Sequence, residues 1–120
     1  MRIHGKEISF ALTVGASAEI AKLCPGGDLR RVGEMLGEKN YGESVEFIAQ
    51  FIEILSRWGA TAKRWAGESA DTLCLEEVLS LTPTEFQSAQ MEAMNAFGND
   101  GAGEIEAESD DPKNAEQEGR

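Results

Sequence analysis

The chain has 120 residues and a formal net charge of −11, with 41% hydrophobic and 28% charged residues. This length allows one domain with a single apolar core, without metals or disulfides. The negative charge disfavours ordinary binding to nucleic-acid phosphates and to anionic membrane surfaces, because both would repel the chain.

The negative charge is concentrated at the C-terminus. Residues 98–120 contain eight acidic and two basic residues, a net charge of −6, and Ile105 is their only large apolar residue. Such a segment cannot bury enough apolar surface to offset its conformational entropy. The sequence therefore predicts a folded domain at residues 1–97 and a disordered acidic tail at residues 98–120.

The first segment alternates between apolar and polar residues, which is typical of a β-strand. Ile3 precedes a predicted turn at Gly5, and large apolar residues recur at every second position from Ile8 to Leu12. Glycine supplies the positive φ that a tight turn needs. We therefore expect a short β-hairpin within residues 2–12, packed on helices. Its unpaired edge makes a homo-oligomer possible, since an open edge can pair with a second chain.

Two shorter helices are predicted next. Thr13 is placed to cap the first, and Pro25 ends it because proline cannot continue a helix. Asp28 is placed to cap the second, and Gly37 is a plausible end for it.

The strongest helical pattern covers residues 44–66. Its apolar residues recur at spacings of three and four, which is typical of an amphipathic helix, and Gly59 is a position where it could bend. The apolar stripe consists of Phe47, Ile48, Phe51, Ile52, Leu55, Trp58, Ala62 and Trp65.

The segment after Gly67 predicts a brief helix within residues 73–81, with a strand at residues 71–76 as the alternative. Thr82, Pro83 and Glu85 then form a capping box that starts a last helix, which we expect to end at Gly98. The predicted fold class is mainly α (α+β). It has a short N-terminal β-hairpin packed on a four- to five-helix domain, followed by the disordered acidic tail.

The residues that carry catalytic or metal chemistry are few. His4 is the single histidine, and Cys24 and Cys74 lack the spacing of a zinc site. No phosphate-binding glycine motif is present. Cys24 and His4 form a conceivable nucleophile–base pair, but we interpret them as a buried thiol and an exposed turn imidazole. We predict no catalytic, cofactor-binding or metal-binding residues, and a protein that is not an enzyme.

The N-terminal residues lack the apolar stretch of a signal peptide, and no apolar run approaches the length of a membrane span. We therefore expect a cytoplasmic protein. In a reducing cytosol both cysteines should be free, and free cysteines are usually buried.

Four aromatic residues on the predicted long helix are candidates for partner binding: Phe47, Phe51, Trp58 and Trp65. Large aromatic side chains are enriched in binding hot spots. We expect the first three to contribute to the core. Trp65 lies near the end of the helix beside two basic residues, so we expect it to be partly exposed.

The layout of the chain resembles a known family. Met-Arg-Ile-His-Gly-Lys-Glu-Ile at residues 1–8 leads through residues 10–16 into Ala-Glu-Ile at residues 18–20. A Gly-Gly-Asp break follows at residues 26–28, and Leu-Thr-Pro-Thr-Glu-Phe starts a helix at residues 81–86. Together these features resemble the tail assembly chaperones of long, non-contractile-tailed bacteriophages and related prophages, over roughly residues 1–97.

This resemblance implies a non-enzymatic role. Such chaperones bind the long, apolar, helical tape-measure protein, keep it soluble, and help tail-tube subunits polymerise around it. The implied partner is therefore the tape-measure protein, with the tail-tube protein as a second candidate. The implied location is the host bacterial cytoplasm, not the mature virion. The family has no catalytic or ligand-binding residues to transfer to this sequence.

Two alternatives follow from the composition. The first is an acidic inhibitor that imitates nucleic acid, which the net charge favours. Mimicry needs carboxylates on a rigid surface, however, and much of the charge here lies on the predicted tail. The second is another phage-encoded adaptor that binds a protein partner.

Overall fold

The computed structural model describes residues 1–36 and 41–98, which form a short β-hairpin and a mainly helical domain. This confirms the predicted fold class. The predicted tail, apart from Gly98, lies outside the described residues, and so does the predicted helix end at Gly37. The strands and α-helices, in chain order, are β1 (Arg2–Ile3), β2 (Lys6–Glu7), α1 (Val14–Leu23), α2 (Val32–Leu36), α3 (Tyr41–Trp65), α4 (Leu75–Leu79) and α5 (Pro83–Phe97).

Three helical segments start at the predicted caps. The Thr13 hydroxyl accepts a hydrogen bond from the Ala16 amide at 3.1 Å, which caps α1. Asp28 caps a short 3₁₀ turn, Leu29–Arg31, that leads into α2. Thr82 and the Glu85 carboxylate form the reciprocal bonds of a capping box at the start of α5.

The core is built around α3, whose 25 residues give a length of about 37 Å. Phe51 is fully buried at its centre. The Phe51 ring lies 6.0 Å from the Phe47 ring and 5.5 Å from the Phe97 ring, measured between centroids. Helices α1, α2, α4 and α5 all contact α3. The helix with the strongest apolar periodicity is therefore the element on which the others pack.

The hairpin is shorter than the sequence pattern suggested. Arg2 pairs with Glu7 and Ile3 with Lys6, and the turn residues His4 and Gly5 have φ values of 54° and 76°. Two consecutive positive φ values are typical of a type I′ turn. The strand β2 ends at Glu7, although the alternation continues to residue 12.

The chain beyond β2 packs on α3 instead of extending the sheet. Ile8 is 1% exposed, and Phe10 and Leu12 pack against the core. The Ala11 amide donates to the Leu55 carbonyl at 3.2 Å, so this segment bonds to a helix and not to a strand. An alternating pattern of apolar and polar residues shows that a segment has a buried face and an exposed face. To form a β-strand, the segment also needs a neighbouring strand with which its backbone can exchange hydrogen bonds.

The outer edge of β2 is covered. The Asp71 amide donates to the Glu7 carbonyl at 3.2 Å, and Ile8 forms a single parallel bridge with Asp71. The alternative strand at residues 71–76 is therefore reduced to this one bridge, because α4 begins at Leu75. Self-association through the hairpin stays a prediction, and β2 offers it little open edge.

One prediction about a single residue needs correction, that for Cys74. Cys74 is exposed, not buried, because it lies at the N-terminus of α4 and caps that helix. Cys24 is buried, and both thiols are free. Gly98 directly follows α5, but it keeps helical φ and ψ of −67° and −39°.

Candidate functional site

The structure divides the four candidate aromatic residues into three environments. Phe47 and Phe51 are 4% and 0% exposed, so they belong to the core, as expected, and present no surface to a partner. Trp58 is half-buried. Trp65 is 87% exposed. Of the four, only Trp65 has most of its ring available for contact with another molecule.

Trp58 is part of a polar clamp between α1 and α3. Its indole N–H donates to a Glu19 carboxylate oxygen at 2.8 Å, and the Arg57 guanidinium donates to both Glu19 oxygens at 2.8 and 2.9 Å. Arg57 also binds Glu53, at 2.9 Å. A Cβ added to Gly15 would lie 2.4 Å from the Trp58 ring, so glycine is needed there for the close approach of α1. Trp58 is thus held in place by contacts within the domain.

The clamp changes the ionisation of its members. The Arg57 guanidinium and the Trp58 indole N–H lower the pKa of Glu19 to about 2, from its ordinary value of 4.5. The two carboxylates raise the pKa of Arg57. Glu19 is therefore charged in the folded protein over the whole physiological pH range, and its negative charge is matched by a cation.

We expect Glu19→Gln to lower the free energy of unfolding at pH 7 by about 1 kcal/mol, because Arg57 loses a bidentate, partly exposed partner. Because the pKa of Glu19 is lower when folded, its contribution is present above pH 4.5 and is lost as the pH falls toward 2. The difference in free energy of unfolding between wild type and Glu19→Gln should therefore decrease as the pH falls from 4.5 toward 2. Urea unfolding followed by circular dichroism, from pH 7 downwards, measures it.

The matched control is Glu46→Gln, the same chemical change at an exposed position of α3. It should change the free energy of unfolding by less than about 0.5 kcal/mol. If Glu19→Gln behaved like this control at pH 7, the clamp would not contribute to stability.

Trp65 is the last residue of α3 and lies in a basic corner. The Lys63 ammonium is 3.0 Å from a Glu68 carboxylate oxygen. Within residues 1–36 and 41–98, no ion pair is found for Arg64, whose side chain is exposed. The exposed Trp65 indole therefore directly follows two basic residues, although the chain as a whole has more acidic than basic residues.

A groove adjoins this corner between the end of α3, the end of α5 and the extended segment after β2. Its volume is about 660 Å³, and its wall includes Gly59, Ala62 and Lys63 of α3 and the following residue Ala66. Ala96 supplies part of the wall on α5. Ala62, Ala66 and Ala96 have short side chains, whereas Gly59 is already covered by the backbone of the extended segment.

Several exposed apolar residues were not singled out by the sequence pattern. Val14 is as exposed as Trp65, and Leu79 and Met91 are 54% and 60% exposed. Each lies on a helix that also buries apolar residues in the core. Periodicity alone could not identify them, because it marks an apolar face but not how much of that face a neighbour covers.

The cysteine and the histidine considered as a nucleophile and base have separate partners. The Cys24 thiol donates to the Ile20 carbonyl at 3.4 Å, and burial raises the pKa of that thiol. The His4 imidazole is exposed, with Nδ1 3.8 Å from a Glu77 carboxylate oxygen. Glu77 itself pairs with the Lys6 ammonium at 2.7 Å, and that bond lowers the pKa of Glu77 to about 2.

Among the described residues, no group of three or more His, Cys, Asp and Glu side chains could hold a metal ion. In that same part of the chain, no helix has the length and apolar character to cross a membrane.

No protein-family model, curated protein or solved structure matches this chain.

Proposed function

We propose that this chain is a non-enzymatic chaperone of bacteriophage tail assembly, which binds and solubilises the tape-measure protein while the tail tube forms. The tail-tube protein is a second candidate partner. The proposed place of action is the cytoplasm of the host bacterium, and the chaperone leaves before the virion is mature. The observation that carries this proposal is the 87% exposure of Trp65 at the end of α3, the helix that also supplies Ala62 and Lys63 to the wall of a groove of about 660 Å³.

An exposed indole next to a groove suits the capture of an apolar helix. Burying apolar surface contributes about 25 cal/mol per Å², and a tryptophan ring offers 150–250 Å² in round figures. Alanines at positions 62, 66 and 96 offer apolar contacts to the side chains that a helix projects at every third or fourth position, and charged residues also line the groove. Trp65, at the end of the helix that supplies Ala62 and Lys63 to the groove, would anchor such a partner helix.

The alternative of a nucleic-acid mimic has less support from the surface charges. Most acidic side chains of the described residues form an ion pair, so they do not present a free carboxylate array of the kind that imitates phosphates. The paired acids are Glu7, Glu19, Asp28, Glu34, Glu53, Glu68 and Glu77.

Co-expression with a tape-measure protein tests the proposal. We expect the tape-measure protein to be soluble with the wild-type chain and to aggregate with Trp65→Glu, since a carboxylate cannot replace the indole in an apolar contact. The soluble fraction and the amount recovered by pull-down are the measurements. Leu79→Glu is the matched control, because it places the same charge at an exposed apolar position on a different helix, α4.

Two outcomes would contradict the proposal. If the wild-type chain neither bound the tape-measure protein nor changed its solubility, the chaperone role would fail. If Trp65→Glu were as effective as wild type, the assignment of the binding surface to the end of α3 would be wrong.

A further inference from the structure

The backbone of the extended segment after β2 alternates in direction, as the backbone of a β-strand does. The Ile8 amide donates to the Met1 carbonyl at 2.8 Å, and the Met1 ammonium donates to the Ile8 carbonyl at 2.8 Å. The Ser9 carbonyl is turned the other way and lies against Gly59 of α3. In an extended chain, the N–H and C=O groups of one residue point to the same side, and successive residues alternate. The backbone of Phe10 is therefore directed to the same side as that of Ile8.

The backbone groups of Phe10 are not paired. In the part of the chain that the structure describes, neither the Phe10 amide nor the Phe10 carbonyl has a hydrogen-bond partner. Because the Phe10 ring packs against the core, the backbone is the part of this residue that can face the groove of about 660 Å³. The neighbouring Ala11 amide, in contrast, is bonded to the Leu55 carbonyl. An open donor and acceptor on an extended backbone can pair with an added strand.

The groove lies in line with β1, between Phe10 and α5. Met1 lines the groove together with Glu92 and Ala96 of α5. Nearer the start of α5, Ser88 lines a smaller pocket together with the residues of β1. An extended segment that follows the line of β1 would therefore lie between Phe10 on one side and the end of α5 on the other.

The charges in the groove indicate which side chains such a segment should carry. Glu7 is paired with Arg2 at 3.2 Å, and Glu68 is paired with Lys63 at 3.0 Å. Glu92 also lines the groove and is exposed, and no ion pair is found for it among the described residues. The groove thus presents one unmatched carboxylate, which attracts a lysine or an arginine.

We propose that this groove is a strand-addition site for an extended segment of another protein, one that carries lysine or arginine beside apolar residues. The segment exchanges two backbone hydrogen bonds with Phe10, and its basic side chain pairs with Glu92. A second copy of this chain is disfavoured as the occupant, because its net charge is −11. The inference goes beyond the proposed function and does not depend on it, although a helix that also contacted Ala96 would compete for this wall.

The test uses the full chain labelled with ¹⁵N and ¹³C, and a short synthetic peptide of alternating valine and lysine that is blocked at both ends. One control peptide has the same sequence with an N-methyl group on every amide, which removes its backbone donors. A second control peptide has glutamate in place of lysine. The measurement is the rate at which the Phe10 amide exchanges its hydrogen with water. The Ala11 amide, bonded to the Leu55 carbonyl, is the internal reference.

Without peptide, we expect the Phe10 amide to exchange much faster than the bonded Ala11 amide. The lysine peptide should slow Phe10 exchange about tenfold when nine-tenths of the chain is bound, because only the free fraction then exchanges. Neither control peptide should slow it. Glu92→Gln should weaken binding of the lysine peptide about two- to fivefold, as expected for the loss of an exposed ion pair. Glu46→Gln, the same change at an exposed position of α3, should leave binding unchanged.

The proposal would be overturned if the lysine peptide did not bind, if it bound without slowing Phe10 exchange, or if the N-methylated peptide slowed that exchange equally. Protection of Phe10 that rose with protein concentration in the absence of peptide would also overturn it, since the occupant would then be a second copy. Equal effects of Glu92→Gln and Glu46→Gln would contradict the pairing with Glu92. Trp65→Glu should leave peptide binding unchanged, which distinguishes this site from the helix-binding role of Trp65; loss of binding would place the peptide at Trp65 instead.

Discussion

Phe51→Ala is expected to lower the free energy of unfolding by about 3–5 kcal/mol, a large part of the total stability of a domain of this size. Phe51 is fully buried and contacts the rings of Phe47 and Phe97. Removing its ring would take away apolar burial, two aromatic contacts and the close packing between α3 and α5. Urea unfolding at pH 7, followed by circular dichroism, gives the change directly.

Phe86→Ala is the matched control for this prediction, since the chemical change is the same. Phe86 is only half-buried, at the start of α5, so its loss should be clearly smaller. Equal losses at both positions would mean that Phe51 is not at the centre of the core.

Gly59→Ala is the second variant with a large expected effect, a loss of about 2–3 kcal/mol from overpacking. A Cβ at residue 59 would lie 2.1 Å from the Ser9 carbonyl oxygen and 3.1 Å from the Phe10 Cα. Both are backbone atoms, and the neighbouring Ala11 amide is bonded to the Leu55 carbonyl. The extended segment would have to move away from α3, which would also expose Ile8.

Gly33→Ala is the control. A Cβ at residue 33, in α2, would meet nothing within 4 Å, so alanine should be neutral or stabilise by about 0.5–1 kcal/mol. The measurement is again urea unfolding, with loss of near-ultraviolet circular dichroism as a second probe. If Gly59→Ala were as stable as wild type, residues 8–11 would not lie against α3 as described.

The starts of α1, of the 3₁₀ turn before α2 and of α5 were available from local chemistry. Thr13, Asp28 and Thr82 have side chains that accept bonds from the first amide groups of a helix, and this needs only a few neighbouring residues. The long apolar stripe likewise identified α3, because its period is a local property of the sequence. The mainly helical fold class follows from these signals.

The length of β2 and the role of Gly59 depended on contacts between distant residues. The sequence suggested a longer strand and a possible helix bend, whereas the structure shows an extended segment packed against Gly59. Such a contact joins residues about fifty positions apart along the chain. No local pattern reports which backbone will lie against a given glycine.

At the candidate site, too, the sequence determined some features and the tertiary structure decided the others. The sequence determined that Phe47, Phe51, Trp58 and Trp65 share one helix, and it gave a reason to expect exposure at Trp65. The tertiary structure decided that the first two are covered by neighbouring elements, and that Trp58 is held against α1 by Glu19. Periodicity specifies the direction in which a side chain points, but only the packing of the other elements determines what lies in that direction.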